Sequence, residues 1–189
     1  MYAVCDVETT GRTPFRNEVI TLDFIIADEN LEKIDERGFK FRPVEKHVWS
    51  EEASAVHGFS WHSCQLFPDK RESFNDMQVF LKHFGSGLNF ICHALPVRSR
   101  IDLFDYQFLL AMYWEEGCRS DFYRIFPEKK VESTISKQRK AACERWGIKN
   151  QRLDTWCEKL GIDSGRHHDS AFDTYVALEI YKYQKGIHN

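Results

Sequence analysis

The 189-residue chain is 42% hydrophobic and 14% aromatic, which suits one compact α/β domain over residues 1–189 and leaves little room for a second. A formal net charge of −3 excludes a polybasic nucleic-acid coat, so any contact with a polyanion has to be local or carried by a metal. No apolar run approaches the ~20 residues of a membrane span. Six scattered cysteines, Cys5, Cys64, Cys92, Cys118, Cys143 and Cys157, form no CxxC pair and follow no cationic-apolar leader. They point to buried thiols in a reducing, cytoplasmic setting rather than to disulfides, or to a zinc site from Cys64, Cys92 and His62 or His93.

Tyr2 to Val7 is a short β-branched and apolar run that predicts a central first strand, ended by the turn Thr9-Thr10-Gly11. Glu18 to Ala27 and Lys33 to Phe41 predict two further strands, joined by the polar Asp28-Glu29-Asn30 turn into an antiparallel meander that Pro43 closes. Residues 44 to 72 read as connecting structure, with helical turns around Glu51 to Val56 and breaks at Gly58 and Pro68. Ser73 is the expected N-cap of a helix reaching Phe84, because Phe74, Met77, Phe80, Leu81 and Phe84 recur at helical spacing before Gly85. Leu88 to Cys92 predicts a short buried strand.

From Ser99 the pattern turns helical again, with Ile101, Phe104, Phe108, Leu109 and Met112 as an apolar stripe and Asp105 in its middle. Val131 to Ile135 predicts a fifth strand. Helices are then expected over Ser136 to Trp146 and Arg152 to Leu160, and from a cap at Asp169 or Ser170 to about Gln184. Lys129 to Arg152 is rich in lysine and arginine, which suits either a solvated helical face or a track for phosphates. Strands that come first and helices that interleave later argue for a mixed sheet with helices on both faces.

Strand alternation puts Asp6 and Glu8 on one face at the end of the first strand. Helical phase puts Asp173 on the same face as Val176, Ala177 and Ile180. A carboxylate buried among aliphatic side chains costs several kcal/mol unless a cation or strong donors meet it. Singly, Asp6 and Glu8 suit ordinary strand-end acids; together with Asp105 and Asp173 they suit a hard divalent cation such as Mg²⁺, and two such ions can act on one phosphate. His168, at the start of the Asp173 helix, supplies a base for an attacking water.

These residues resemble the motifs of the DEDDh 3′–5′ exonucleases, the DnaQ-like group. The resemblance rests on Asp6-Val7-Glu8-Thr9-Thr10-Gly11, on Phe104-Asp105 with Phe108-Leu109, and on His168 with Asp173 five residues on and Ala177 four later. Glu18-Val19-Ile20, Val56-His57-Gly58-Phe59-Ser60, Leu153-Asp154-Thr155 and Leu160-Gly161-Ile162 extend it over nearly the whole chain. The family's usual His-Asn-Ala-x-Phe-Asp run is interrupted here by Leu95 to Leu103, which makes Asp102 a rival to Asp105. His167 adjoins His168, and Ser170 stands where a small Ala is usual.

The resemblance implies a ribonuclease-H-like five-stranded mixed sheet with the first three strands antiparallel. It implies two Mg²⁺ ions, replaceable by Mn²⁺, held by Asp6, Glu8, Asp105 and Asp173, with His168 as general base. Thr9, Thr10, Gly11, His57 and Phe108 would meet the substrate, and Phe15, Phe59 and Trp61 could stack bases. The expected activity is removal of nucleoside 5′-monophosphates from the 3′ ends of single-stranded DNA or RNA. Neither a membrane nor a stable polymerase partner is expected, since the sequence runs only a short way past its last motif helix. A non-catalytic binding module of the same fold and a ribonuclease-H-like endonuclease are the alternatives.

Overall fold

The central strand β1 (Tyr2–Thr9) runs antiparallel to β2 (Val19–Ala27), which pairs antiparallel with β3 (Lys33–Lys40). On the other side of β1, the strands β4 (Asn89–Cys92) and β5 (Val131–Ser133) follow in parallel, giving the order β3-β2-β1-β4-β5. This computed structural model describes residues 1–99, 101–165 and 169–187.

Alternation along β1 divides the core. Ala3, Cys5 and Val7 face one layer, which is packed by α3 (Lys70–His83), α4 (Phe104–Glu115) and α5 (Arg119–Ile125). Val4 faces the other, against Ala177, Leu178 and Tyr181 of α8 (Ser170–Lys185). The shorter helices are α1 (Glu51–His57), α2 (Trp61–Cys64), α6 (Arg139–Trp146) and α7 (Leu153–Leu160). Helices therefore cover both faces of a mixed five-stranded sheet, the ribonuclease-H-like α/β arrangement expected from the sequence.

Three helix starts differ from the sequence expectation, each because a side chain closes a turn elsewhere. α3 begins one turn early: Asp69, not Ser73, is its cap and accepts from the Arg71 amide at 3.0 Å. Ser73 instead donates its hydroxyl to the Lys40 carbonyl at 2.7 Å, tying the helix to β3. α4 begins at Phe104, because Asp102 closes the preceding loop through the Arg98 amide at 3.0 Å. Ser136 cannot open α6, since the Gln151 amide group brackets its N–H and C=O at 2.8 and 3.0 Å; the helix starts at Arg139. The buried surface of α4 is wider than the expected stripe, since Tyr106, Leu110, Ala111 and Tyr113 are buried as well, while Phe104 is exposed at the edge and rests on the buried Phe108 ring at 4.7 Å between centroids.

Among the described residues, no helix is long and apolar enough to cross a membrane. All six cysteines are free thiols, and Cys5, Cys64, Cys92 and Cys157 are buried.

Candidate active site

The β1 pleat delivers Asp6 and Glu8 to the α8 side of the sheet, where each stands partly open to solvent. Asp173, in the first turn of α8, is 5% exposed and reaches the same place. One carboxylate oxygen from each of Asp6, Glu8 and Asp173 lies within 4.8 Å of the other two. Asp105, the second residue of α4 and 4% exposed, adjoins them from the opposite layer: its Oδ1 accepts from the Val7 amide at 3.2 Å. The rival Asp102 is spent on its own loop, with its carboxylate on the Arg98 amide and its carbonyl on the Val97 amide.

The electrostatics follow from burial and crowding. Burial, then the charges of Asp173 and Asp105, push Glu8 up to about 8. Burial, then Asp105 and Glu8, holds Asp6 well above the usual carboxylate range. Asp105 is pushed up to about 6, mainly by burial. Such a cluster demands either protons or a cation. Among the described residues its close-set donors are all carboxylate oxygens, with no thiolate or imidazole grouped with them, which fits a hard divalent ion such as Mg²⁺ or Mn²⁺. The zinc alternative has no support among the described residues. Cys64 is buried alone, and His93 is committed to Thr134 at 2.5 Å and to the Gln151 carbonyl at 3.0 Å. Burial lowers His93 to about 4 and keeps its ring neutral.

The residues after β1 are built into a rigid turn. Thr9 donates to the Gly11 carbonyl at 2.6 Å, and the Thr10 hydroxyl accepts from the Glu18 amide at 2.9 Å. A Cβ on Gly11 would stand 2.4 Å from the Asn17 side chain, so only glycine fits there. His57 is 9% exposed; its Nδ1 accepts from the Phe59 amide at 3.1 Å, and its ring lies 5.5 Å from Phe59 and 6.1 Å from Trp49. Trp61 packs edge-on against Trp49 at 5.8 Å. Phe108 is 1% exposed and belongs to the core. His168 and its neighbour His167 lie outside the described residues. Asp169 caps α8 through the Ala171 amide at 3.1 Å.

One acid at the site escaped the sequence reading. Asp23 on β2 pairs in register with Asp6, and burial raises its carboxyl above the usual range while Ser170 holds it down. The signal was present as a lone acid between Leu22 and Phe24 in a strand whose other residues, Thr21 apart, are apolar. Asp23, Lys40, His57 and Phe59 help line a groove of about 640 Å³ on one side of the α8 N-terminus. A second cleft, of about 430 Å³, opens on the other side between Asp173, His93, Gln151 and Arg152. The inserted segment before α4 is tacked down by Lys137, whose Nζ donates to the Val97 and Arg98 carbonyls at 3.3 and 3.2 Å.

No protein-family model and no curated protein matches the sequence. Solved structures do. The zinc-bound complex of Escherichia coli exonuclease I with single-stranded DNA superposes with a TM-score of 0.75 at 13% identity, over 98% of this chain and 40% of that one. The same enzyme with a dA16 oligonucleotide gives 0.74 at 15% identity over 98% and 40%. Its metal-free complex with single-stranded DNA gives 0.73 at 15% over 98% and 39%. The chain thus spans about two-fifths of the length of these proteins and shares their fold.

Proposed function

We propose that the chain is a divalent-metal-dependent 3′–5′ exonuclease that removes nucleoside 5′-monophosphates from single-stranded DNA or RNA. The observation that carries this reading is the convergence of Asp6, Glu8 and Asp173 within 4.8 Å, with Asp105 beside them. The structural likeness to exonuclease I, seen with single-stranded DNA, supports it.

Asp6, Glu8 and Asp173 would hold one ion, and Asp6 with Asp105 would hold a second. Two Mg²⁺ ions, or Mn²⁺ in their place, supply Lewis-acid stabilisation of the attacking and leaving oxygens of the phosphodiester. The carboxylates set where the phosphate sits, and their own charge keeps it away until a cation is present. His168 takes the proton of the attacking water on its imidazole; in sequence it directly precedes Asp169, the cap of the helix that carries Asp173. Glu8 and the backbone at Thr9 and Thr10 would receive the terminal 3′ hydroxyl, Gly11 letting the turn lie close. His57 would border the terminal nucleotide, whereas Phe108, expected from the sequence to do the same, is a core residue with no surface to offer. The free thiols accord with a cytoplasmic setting.

The test is digestion of 5′-labelled single-stranded DNA and RNA with Mg²⁺ or Mn²⁺ against an EDTA control. A ladder shortening from the 3′ end is expected. Internal cuts would make the protein an endonuclease, and intact polymers in every condition would make it a binding module.

A further inference from the structure

The loop that follows the acidic strand ends in an exposed ring. Phe15 is 51% exposed, and its φ of 64° is a left-handed conformation that bulky residues avoid. The loop is nevertheless well fastened. Asn17 accepts from the Thr13 amide at 2.9 Å, donates its own amide to the Thr13 carbonyl at 2.8 Å, and donates its side chain to the Val48 carbonyl at 2.7 Å. A rigid loop that holds a phenyl ring out into water in a strained conformation calls for something to cover it.

Phe15 is not isolated. Its ring meets Trp114 edge-on at 5.8 Å, and Trp114, at the far end of α4 from Asp105, is 49% exposed. The Arg119 guanidinium lies 4.2 Å from the Trp114 ring centre and 5.3 Å from that of Tyr123. Among the described residues no carboxylate pairs with Arg119, Arg12 or Arg16, whereas Glu116 is met by Arg71 at 3.9 Å and Lys70 is shared by Glu115 at 2.6 Å and Glu18 at 3.4 Å; Glu45 lines the same hollow as Phe15 and Arg16. The patch therefore offers flat apolar rings beside three guanidinium groups that no described carboxylate holds, the chemistry that suits stacked bases on a phosphate chain. It begins four residues beyond Gly11 of the site turn.

We propose that Phe15, Trp114 and Arg119, flanked by Arg12 and Arg16, form the surface that receives the single strand upstream of the nucleotide being removed. This deepens the exonuclease reading and rests on it for its direction: the 3′ end lies at the carboxylates, and the 5′ portion crosses the aromatic patch. The occupant is single-stranded nucleic acid, because bases supply the flat faces and phosphates the missing counter-charge.

The test separates binding from cleavage. In an Asp6→Asn background, which removes hydrolysis, the binding of a labelled single strand of about twelve nucleotides is compared with Phe15→Asn, Arg119→Gln and the Arg12→Gln/Arg16→Gln pair. Asn tolerates the left-handed loop position, so folding should survive; thermal melts check this. Each change is expected to weaken binding about tenfold, the range of one lost base stack. The arginine pair should also flatten the salt dependence by about 0.7 per lost phosphate contact. With the acids intact, the same changes should raise KM for the long strand and leave dinucleotide cleavage unchanged. Unaltered affinity in the variants, or no binding by the Asp6→Asn protein, overturns the proposal and leaves the patch to another partner. If the variants lose binding but the unmodified chain cleaves neither substrate, the surface stands and the exonuclease reading falls.

Discussion

The Ser170 hydroxyl donates to Asp23 Oδ2 at 2.5 Å, joining the first residue of α8 to the β2 residue that faces Asp6 across the sheet. Ser170 Oγ also lies 3.0 Å from the Thr21 hydroxyl, and Thr174 donates to the Ser170 carbonyl at 2.7 Å and to the Asp23 carbonyl at 3.4 Å. The first turn of α8, which carries Asp173, is thereby fastened to β2 through side chains that are largely out of water.

Ser170→Ala should lower stability by about 1–3 kcal/mol, the range for losing a buried hydrogen bond to a carboxylate. Chemical denaturation measures it. Turnover should fall with it, since the tether sets Asp173 against Asp6 and Glu8. Unchanged turnover alongside reduced stability would leave the contact a matter of stability alone.

Gly38 lies beneath the same carboxylate. A Cβ there would come within 2.3 Å of Asp23 Oδ1, so Gly38→Ala should displace Asp23 and break the Ser170 contact. Its cost should resemble that of Ser170→Ala, and the two should be strongly non-additive because they remove one interaction. A double-mutant cycle on unfolding free energies reads this directly; full additivity would mean that Asp23 moves aside freely.

The acidic cluster makes stability depend on pH and metal together. Glu8 is held at about 8 in the folded chain against about 4.3 when unfolded. Between those values the folded state binds a proton that the unfolded state has released, so stability falls as pH rises through the window. Asp105, held at about 6, has the same sign over a narrower range. Metal-free protein should melt at a higher temperature at pH 5 than at pH 8. Mg²⁺ should raise the melting temperature at pH 8 and have little effect at pH 5, where protons compete for the oxygens. Glu8→Gln should flatten the pH dependence of the metal-free protein.

The roles assigned to the acids and the histidine separate in one set of titrations. Asp6→Ala should abolish metal binding and hydrolysis together. His168→Ala should slow turnover by roughly 10² to 10⁴ with metal affinity nearly intact, as expected for the loss of a general base. If His167→Ala produces that loss instead, the base is one residue earlier. Calorimetric metal titration beside single-turnover cleavage distinguishes these outcomes.

What the sequence determined by itself was periodic and local. Alternation in Tyr2 to Val7 located the central strand and set Asp6 and Glu8 side by side; helical phase put Asp173 on the buried face with Val176, Ala177 and Ile180, all 5% exposed or less. These follow from backbone geometry within a few residues, so they are legible without a fold. α5 escaped because its seven residues bury only Phe122 and Ile125, too few for a period. Asp105 in the middle of its apolar stripe was legible in the sequence; its hydrogen bond from the Val7 amide, 98 positions away in the chain, was not. Admitting Asp23 needed the β1-β2 register and Ser170, 147 positions off, and bringing Trp114 to Phe15 needed the far end of α4 beside the loop that follows β1. Contacts of that kind are set by how strands pair and layers pack, so only the tertiary structure could decide them.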